Sequence, residues 1–121
     1  MFGLGIDAVD IERFRALLER RPQLRQRLFT EAELDSLADK NDDAASLAAR
    51  FAVREATMKA LGVGLGAFDF HDVSVAKAET GAPHLVITGR ARALATSHGI
   101  AGWHVSITHT DSVAMAVVAA L

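Results

Sequence analysis

Apolar residues change their period several times along this chain, and each change marks an element. The opening MFGLGIDAV is an apolar run with glycines at positions 3 and 5 and reads as a buried strand. From Asp10 the spacing becomes helical: Ile11, Phe14, Leu17 and Leu18 share a face, and the helix stops near Pro22, whose ring cannot continue it. Leu24, Leu28 and Phe29 follow as a short apolar segment. Thr30-Glu31-Ala32-Glu33 has the form of a capping box, in which side chains three apart satisfy each other's free backbone amides, and it starts a helix toward Ala38. Beyond the polar loop KNDD at 40–43, a long helix is predicted from about Ala44 to Leu61, with Gly62 as its C-terminal cap.

The second half reads as sheet with one more helix. VGLGAFDFHD at 63–72 is a glycine-punctuated loop, and HDVSVAKA and HLVIT alternate as strands around the turn ETGAP. GRARALATSHG forms a modest helix ended by Gly99; WHVSITH and SVAMAVVAA are strands around a short turn holding Thr110 and Asp111. No repeat or linker interrupts 1–121. Strands and helices without strict βαβ alternation predict a single small α+β domain, an antiparallel-type sheet packed by one long helix and shorter ones.

Composition narrows this further. With 121 residues, half of them hydrophobic, the chain can build one core and is too short for two domains of usual size. A net charge of -2 argues against nucleic acid as partner, and zero cysteines exclude disulfides and thiolate metal sites. Without a leader pattern or an apolar run near ~18 residues, a cytoplasmic protein with no membrane span is expected. Five histidines show no helical zinc-ligand spacing, while a hard cation held by carboxylates remains open.

Two acids stand in apolar settings. At ~100° per residue, Glu55 falls on the arc of the long helix shared by Phe51, Met58, Ala48 and Ala52, the arc expected to face a core. Burial without a partner costs several kcal/mol, so Glu55 needs a cation: Lys59 one turn on, an arginine, or a metal. Asp7 lies inside the apolar opening strand; it either caps the next helix, a role Asp10 is better placed for, or points inward beside Glu55. Two carboxylates plus water and substrate phosphates are a usual way of holding magnesium.

Other groups extend the pattern. Arg50 and Arg54 are one turn apart on the long helix, with Lys59 at its end, and Gly62, Gly64 and Gly66 allow backbone to approach an anion closely. The same glycines also suit a plain helix–strand connection. His109 ends a strand with Asp111 two residues on, and both are general acid/base candidates. Six of the ten arginines fall between Arg13 and Arg27, the others in that band being Arg15, Arg20, Arg21 and Arg25. Such a surface suits bidentate binding of carboxylates or phosphates, and a small acidic protein fits it better than nucleic acid does.

Taken together, GLGIDAVDIERF, RLFTEAEL, LAARFAVREATMKALGVGLG, DVSV, TGAPHLVITG and WHVSITHT resemble the holo-acyl-carrier-protein synthases, the small single-domain phosphopantetheinyl transferases, in order and over nearly the whole chain. The resemblance implies magnesium-dependent transfer of the phosphopantetheine arm from coenzyme A to a serine of apo acyl carrier protein, leaving adenosine 3',5'-bisphosphate, in support of fatty acid biosynthesis. It implies Asp7 and Glu55 as metal ligands, Lys59 at the diphosphate, and Glu55, Lys59 or Asp111 in the proton transfer. Arg50, Arg54, Gly62, Gly64, Gly66, Pro83 and His109 are implied at the coenzyme A site, and Arg13, with Arg20 and Arg21, at the acidic helix of the carrier. Homotrimers with sites between subunits are typical of the family, so that Asp7 and Glu55 are candidates to meet across an interface. One position departs: the family usually carries lysine where this chain has Arg54. The competing readings are a non-catalytic coenzyme A binding homologue, a plain interaction protein, and a transferase serving a polyketide or peptide synthetase carrier. Retention of Asp7, Glu55 and Lys59 counts against the first two.

Overall fold

The computed structural model describes residues 1–121. Strand β1 (Gly3–Asp10) leads into α1 (Ile11–Arg20), then the short helices α2 (Leu24–Leu28) and α3 (Glu31–Ser36), and the long helix α4 (Ala44–Leu61). A loop and a 3-10 turn (Phe70–Asp72) lead to the hairpin β2 (Val73–Lys77) and β3 (Pro83–Ile87); α5 (Gly89–Ser97) and the hairpin β4 (Trp103–His109) and β5 (Val113–Ala120) complete the chain. The strands form a three-stranded antiparallel sheet in the order β1-β5-β4 and a two-stranded one, β2-β3, against β4. The α+β reading holds, and the predicted helix ends of α4 are those observed.

The caps explain the boundaries. Asp10 accepts from the Arg13 amide at 2.9 Å to start α1, and the Thr30–Glu33 box is formed in both directions. Gly62 ends α4 at φ +71°, in the left-handed region that costs an L side chain energy, so that its own amide and that of Val63 reach the last carbonyls.

Helix α4 is the axis of the molecule. Its C-terminal half packs Ala52, Ala56 and Ala60 against Ala116, Val118 and Ala120 of β5, while its N-terminal half packs Leu47 and Ala48 against Ile11, Phe14 and Phe29. An aromatic row, Phe29, Phe14, Phe51 and Phe70, runs along it with ring centroids 6.2, 5.3 and 6.2 Å apart.

Strand β1 lies on α4 backbone to backbone. A Cβ on Gly3 would stand 2.0 Å from the Ala60 carbonyl oxygen, and one on Gly5 would stand 1.8 Å from that of Ala56. The strand is not buried on both faces, as its apolar run predicted. Gly3, Gly5, Asp7 and Val9 face α4, whereas Leu4 and Ile6, on the other face, are 60% and 64% exposed. Pairing with β5 sets Ile6 opposite Val117 and Ala8 opposite Met115, so the outer sheet face is an uncovered apolar surface.

Candidate active site

Between Leu47 and Leu61 every residue of α4 is buried except Phe51, Glu55 and Lys59. These are four apart and form one stripe, the single window through which a nearly all-round buried helix meets solvent. The expectation that Glu55 faces the core is thereby corrected. A helix apolar on almost all sides has no direction to its hydrophobic pattern, and Glu55 is half-buried on the open stripe.

Alternation along β1 aims Asp7 at this stripe, on the same side as the two glycines that let the strand approach. Lys59 Nζ donates to the Ile6 carbonyl at 2.8 Å and to Asp7 Oδ1 at 3.2 Å. The carboxyl of Glu55 is held above its ordinary pKa by burial and then by the negative charge of Asp7, with Lys59 opposing. The charge of Asp7 thus reaches Glu55 within one chain. No cluster of three or more His, Asp or Glu ligands forms in the chain. Two carboxylates, one of them raised by burial and by the charge of the other, fit a divalent cation that completes its shell with water and substrate oxygens.

Arg54 lies elsewhere. It is fully buried, with Nη2 and Nη1 donating to Glu33 Oε1 and Oε2 at 2.5 and 3.1 Å, Nε donating to the Phe70 carbonyl at 2.9 Å, and the guanidinium over the Phe29 ring at 5.0 Å. The expected contact of Arg54 with a diphosphate is corrected: these three hydrogen bonds and a ring face already engage it inside the protein, a fourth bond going to the Arg50 carbonyl. Glu33 is the residue that pattern reading overlooked. Its place in the capping box was visible, but the box hid a second role, since the same carboxylate also takes the Val75 amide at 3.0 Å.

Arg50, a turn before Arg54, borders a cleft of about 440 Å³ between α3, the β2–β3 hairpin and α4, lined also by Thr30, Ser36, Lys40, Val75 and Lys77. It is 7% exposed, its Nη1 donates to the Ser46 carbonyl at 3.3 Å, and its Nε has no partner. Three cations around one cleft, one with an orphaned donor, suit a phosphate-bearing ligand.

The remaining expected residues are spread more widely. Gly62 caps α4, and Gly64 and Gly66 follow in an exposed loop, where the Gly66 carbonyl accepts from Arg90 at 3.2 Å. Pro83 opens β3 opposite Lys77. His109 is exposed at the end of β4, its Nδ1 3.1 Å from the Thr110 carbonyl. Asp111 sits in the exposed β4–β5 turn without a hydrogen bond or ion pair to Asp7, Glu55 or Lys59. Of the six arginines of the band, Arg15 is bound to Glu12 and Asp42, and Arg25 forks onto Asp43 at 2.7 and 3.0 Å. Arg13, Arg20, Arg21 and Arg27 make no ion pair; Arg13 and Arg20 frame an apolar groove of Val9, Ala16 and Leu17.

A sheet packed on one long helix, with one acid on its first strand and one on that helix, defines a class that the comparisons make explicit. Residues 3–118 match the family model described as the 4'-phosphopantetheinyl transferase superfamily, and the chain belongs to that superfamily. Within it the relatives are enzymes of one kind. A holo-[acyl-carrier-protein] synthase of Streptomyces griseus is 48% identical over 120 residues, covering 99% of this chain and 98% of that protein. Another, from Moorella thermoacetica, is 40% identical over 97% of this chain and 91% of its own length. Among solved structures, the Helicobacter pylori holo-[acyl-carrier-protein] synthase in complex with coenzyme A is 30% identical at TM-score 0.85, covering 98% of this chain and 99% of that one. The Neisseria meningitidis synthase is 27% identical at TM-score 0.92, over 100% and 98%. The chain is accordingly a phosphopantetheinyl transferase of the holo-[acyl-carrier-protein] synthase type.

Proposed function

We propose that the chain transfers the phosphopantetheine arm of coenzyme A to a serine of apo acyl carrier protein, with magnesium bound by Asp7 and Glu55. The serine oxygen forms a bond to the phosphorus bearing the pantetheine. The bond from that phosphorus to the bridging oxygen breaks, and adenosine 3',5'-bisphosphate leaves. The observation that carries this reading is the Asp7–Glu55 pair with Lys59 on the only open stripe of α4.

When bound, magnesium supplies charge neutralisation at the diphosphate. Lys59 is the cation of this chain next to that place, and its side chain is 55% exposed, free to turn from Asp7 to a phosphate oxygen. Arg50, with Lys40 and Lys77, offers the cleft for the nucleotide end, and Pro83, His109 and the backbone at Gly62, Gly64 and Gly66 are assigned to the same substrate. The serine hydroxyl comes from the carrier, which accounts for the absence of an activated nucleophile among these residues. Its proton goes to Glu55, Lys59 or Asp111. Arg13, Arg20 and Arg21 receive the acidic carrier, with the groove at Leu17 as the apolar part of the contact.

The uncovered face of β1-β5-β4, with Leu4, Ile6 and Met115 exposed, supports assembly into a homotrimer. No helix is long and apolar enough to cross a membrane, and we assign the enzyme to the cytoplasm. Intact-mass spectrometry of apo carrier protein incubated with this protein, coenzyme A and magnesium tests the function. A mass gain equal to one phosphopantetheine group is expected; folded protein giving no gain refutes it.

A further inference from the structure

The Glu33–Arg54 pair is the most deeply buried charge pair of the molecule, with side chains 1% and 0% exposed. It joins α3 through the Thr30 amide at 3.0 Å, β2 through Val75, the 3-10 turn through Phe70, and α4 through the Arg50 carbonyl at 3.3 Å. Its second feature is what lies one turn away. Arg50 is also buried, borders the same cleft as Glu33, and keeps an Nε without a partner. A buried carboxylate takes whichever cation reaches it, because leaving it unpaired is costly. Arg50 lines the same cleft as Glu33, and only Arg54 is bonded to that carboxylate, through both of its oxygens.

We propose that Arg54 is a positioning residue for coenzyme binding: by occupying both carboxylate oxygens of Glu33, it leaves the Arg50 guanidinium free to receive a substrate phosphate in the cleft. The inference rests on the reading of that cleft as the coenzyme site. Removing the Arg54 charge leaves Glu33 to capture Arg50 and withdraw it from the cleft. Removing the Glu33 charge does not, since nothing then competes for Arg50. Both single changes destabilise the fold, yet they differ in their effect on the ligand.

The test is coenzyme A binding by titration calorimetry below the melting range of each variant, with the melting temperature read alongside. Arg50→Ala in the otherwise unchanged protein establishes the baseline, and a loss of about tenfold is expected for a phosphate contact. Arg54→Met is expected to weaken coenzyme A by a similar factor while the KM for carrier protein stays within twofold. Glu33→Gln/Arg54→Met, which keeps an acceptor for the Thr30 and Val75 amides but no charge to capture Arg50, is expected to regain binding to within about threefold of the unaltered protein. A double variant that binds as weakly as Arg54→Met overturns the proposal. Should Arg54→Met fail to fold, Glu33→Gln and Arg54→Lys decide it: both retain coenzyme affinity within about threefold, and a tenfold loss in Glu33→Gln overturns it. If the unaltered protein binds no coenzyme A, or Arg50→Ala changes nothing, the cleft assignment fails instead.

Discussion

Replacing Gly5 by alanine tests the seam on which the site is built. The added methyl would lie 1.8 Å from the Ala56 carbonyl oxygen and 2.8 Å from the Ala60 amide nitrogen, all backbone atoms of a buried helix. To reach ordinary contact at about 3.4 Å, β1 must recede from α4 by roughly 1.6 Å. Overpacking of this kind costs about 3 kcal/mol. At about 4 °C per kcal/mol for a domain of this size, the melting temperature falls by about 12 °C. The displacement also carries Asp7 away from Glu55, and an error of about 1 Å in an active-site group lowers rate about a hundredfold. Circular dichroism melts give the first quantity, and the carrier mass-shift assay, run well below the melt, gives the second. Gly64→Ala is the control, since nothing stands within 4 Å of its methyl position, and a change within about 0.5 kcal/mol is expected there. A Gly5→Ala protein that melts within 2 °C of the original and transfers at the original rate would refute the close-approach account.

Further outcomes follow from the same geometry. Asp7→Asn and Glu55→Gln abolish transfer and keep the fold. Because the folded pKa of Glu55 is raised, its contribution to stability is present below the unfolded value of about 4.5 and is lost as pH rises through the folded one; added magnesium therefore raises the melting temperature at pH 7 and not at pH 4, and Glu55→Gln removes both effects. Reversing the charges of Arg13 and Arg21 raises the KM for carrier protein at least tenfold and leaves that for coenzyme A unchanged, whereas Arg15→Ala, which breaks only internal ion pairs, alters neither; equal rises for both substrates would undo the docking assignment. Ile6→Asp on the uncovered sheet face yields a monomer by sedimentation, and a trimer that persists would place the interface elsewhere.

Local signals in the sequence were strong where one residue type serves one purpose. The Thr30–Glu33 box, Asp10 at the start of α1 and Gly62 at the end of α4 are each legible because a free backbone amide or a positive φ calls for few residue types. The glycines at 3 and 5 were visible too, but their reason was not: only the register of β1 on α4 shows that Ala56 and Ala60 leave no room for a methyl. Reading failed where burial is uniform. With alanine, valine and leucine on nearly every side, α4 gives no hint of which face is open, and Phe51 belongs to the exposed stripe while Arg54 does not. Arg54 was misplaced because its partner stands 21 residues earlier in a separate helix, where Glu33 already had an apparent role as a cap. The arginine band likewise read as one surface, although Asp42 and Asp43 neutralise two of its members from the loop before α4.

Lys59 ties these observations together. Where β1 and α4 run backbone to backbone, burial and then the charge of Asp7 hold the Glu55 carboxyl above its ordinary pKa, an arrangement that two isolated carboxylates would resist. Lys59 relieves it by bonding to Asp7 and to the Ile6 carbonyl, from a position more than half exposed. A contact of that kind is cheap to exchange, since exposed ion pairs contribute about 1 kcal/mol or less. In the proposed reaction Asp7 and Glu55 would hold magnesium, which would supply the neutralising charge, and Lys59 would then be free to turn toward the diphosphate. Lys59→Met should therefore bind magnesium at least as tightly as the original protein, read as the metal-dependent rise in melting temperature, while transfer falls by two orders of magnitude or so. Loss of the magnesium effect along with transfer would instead make Lys59 a structural member of the metal site.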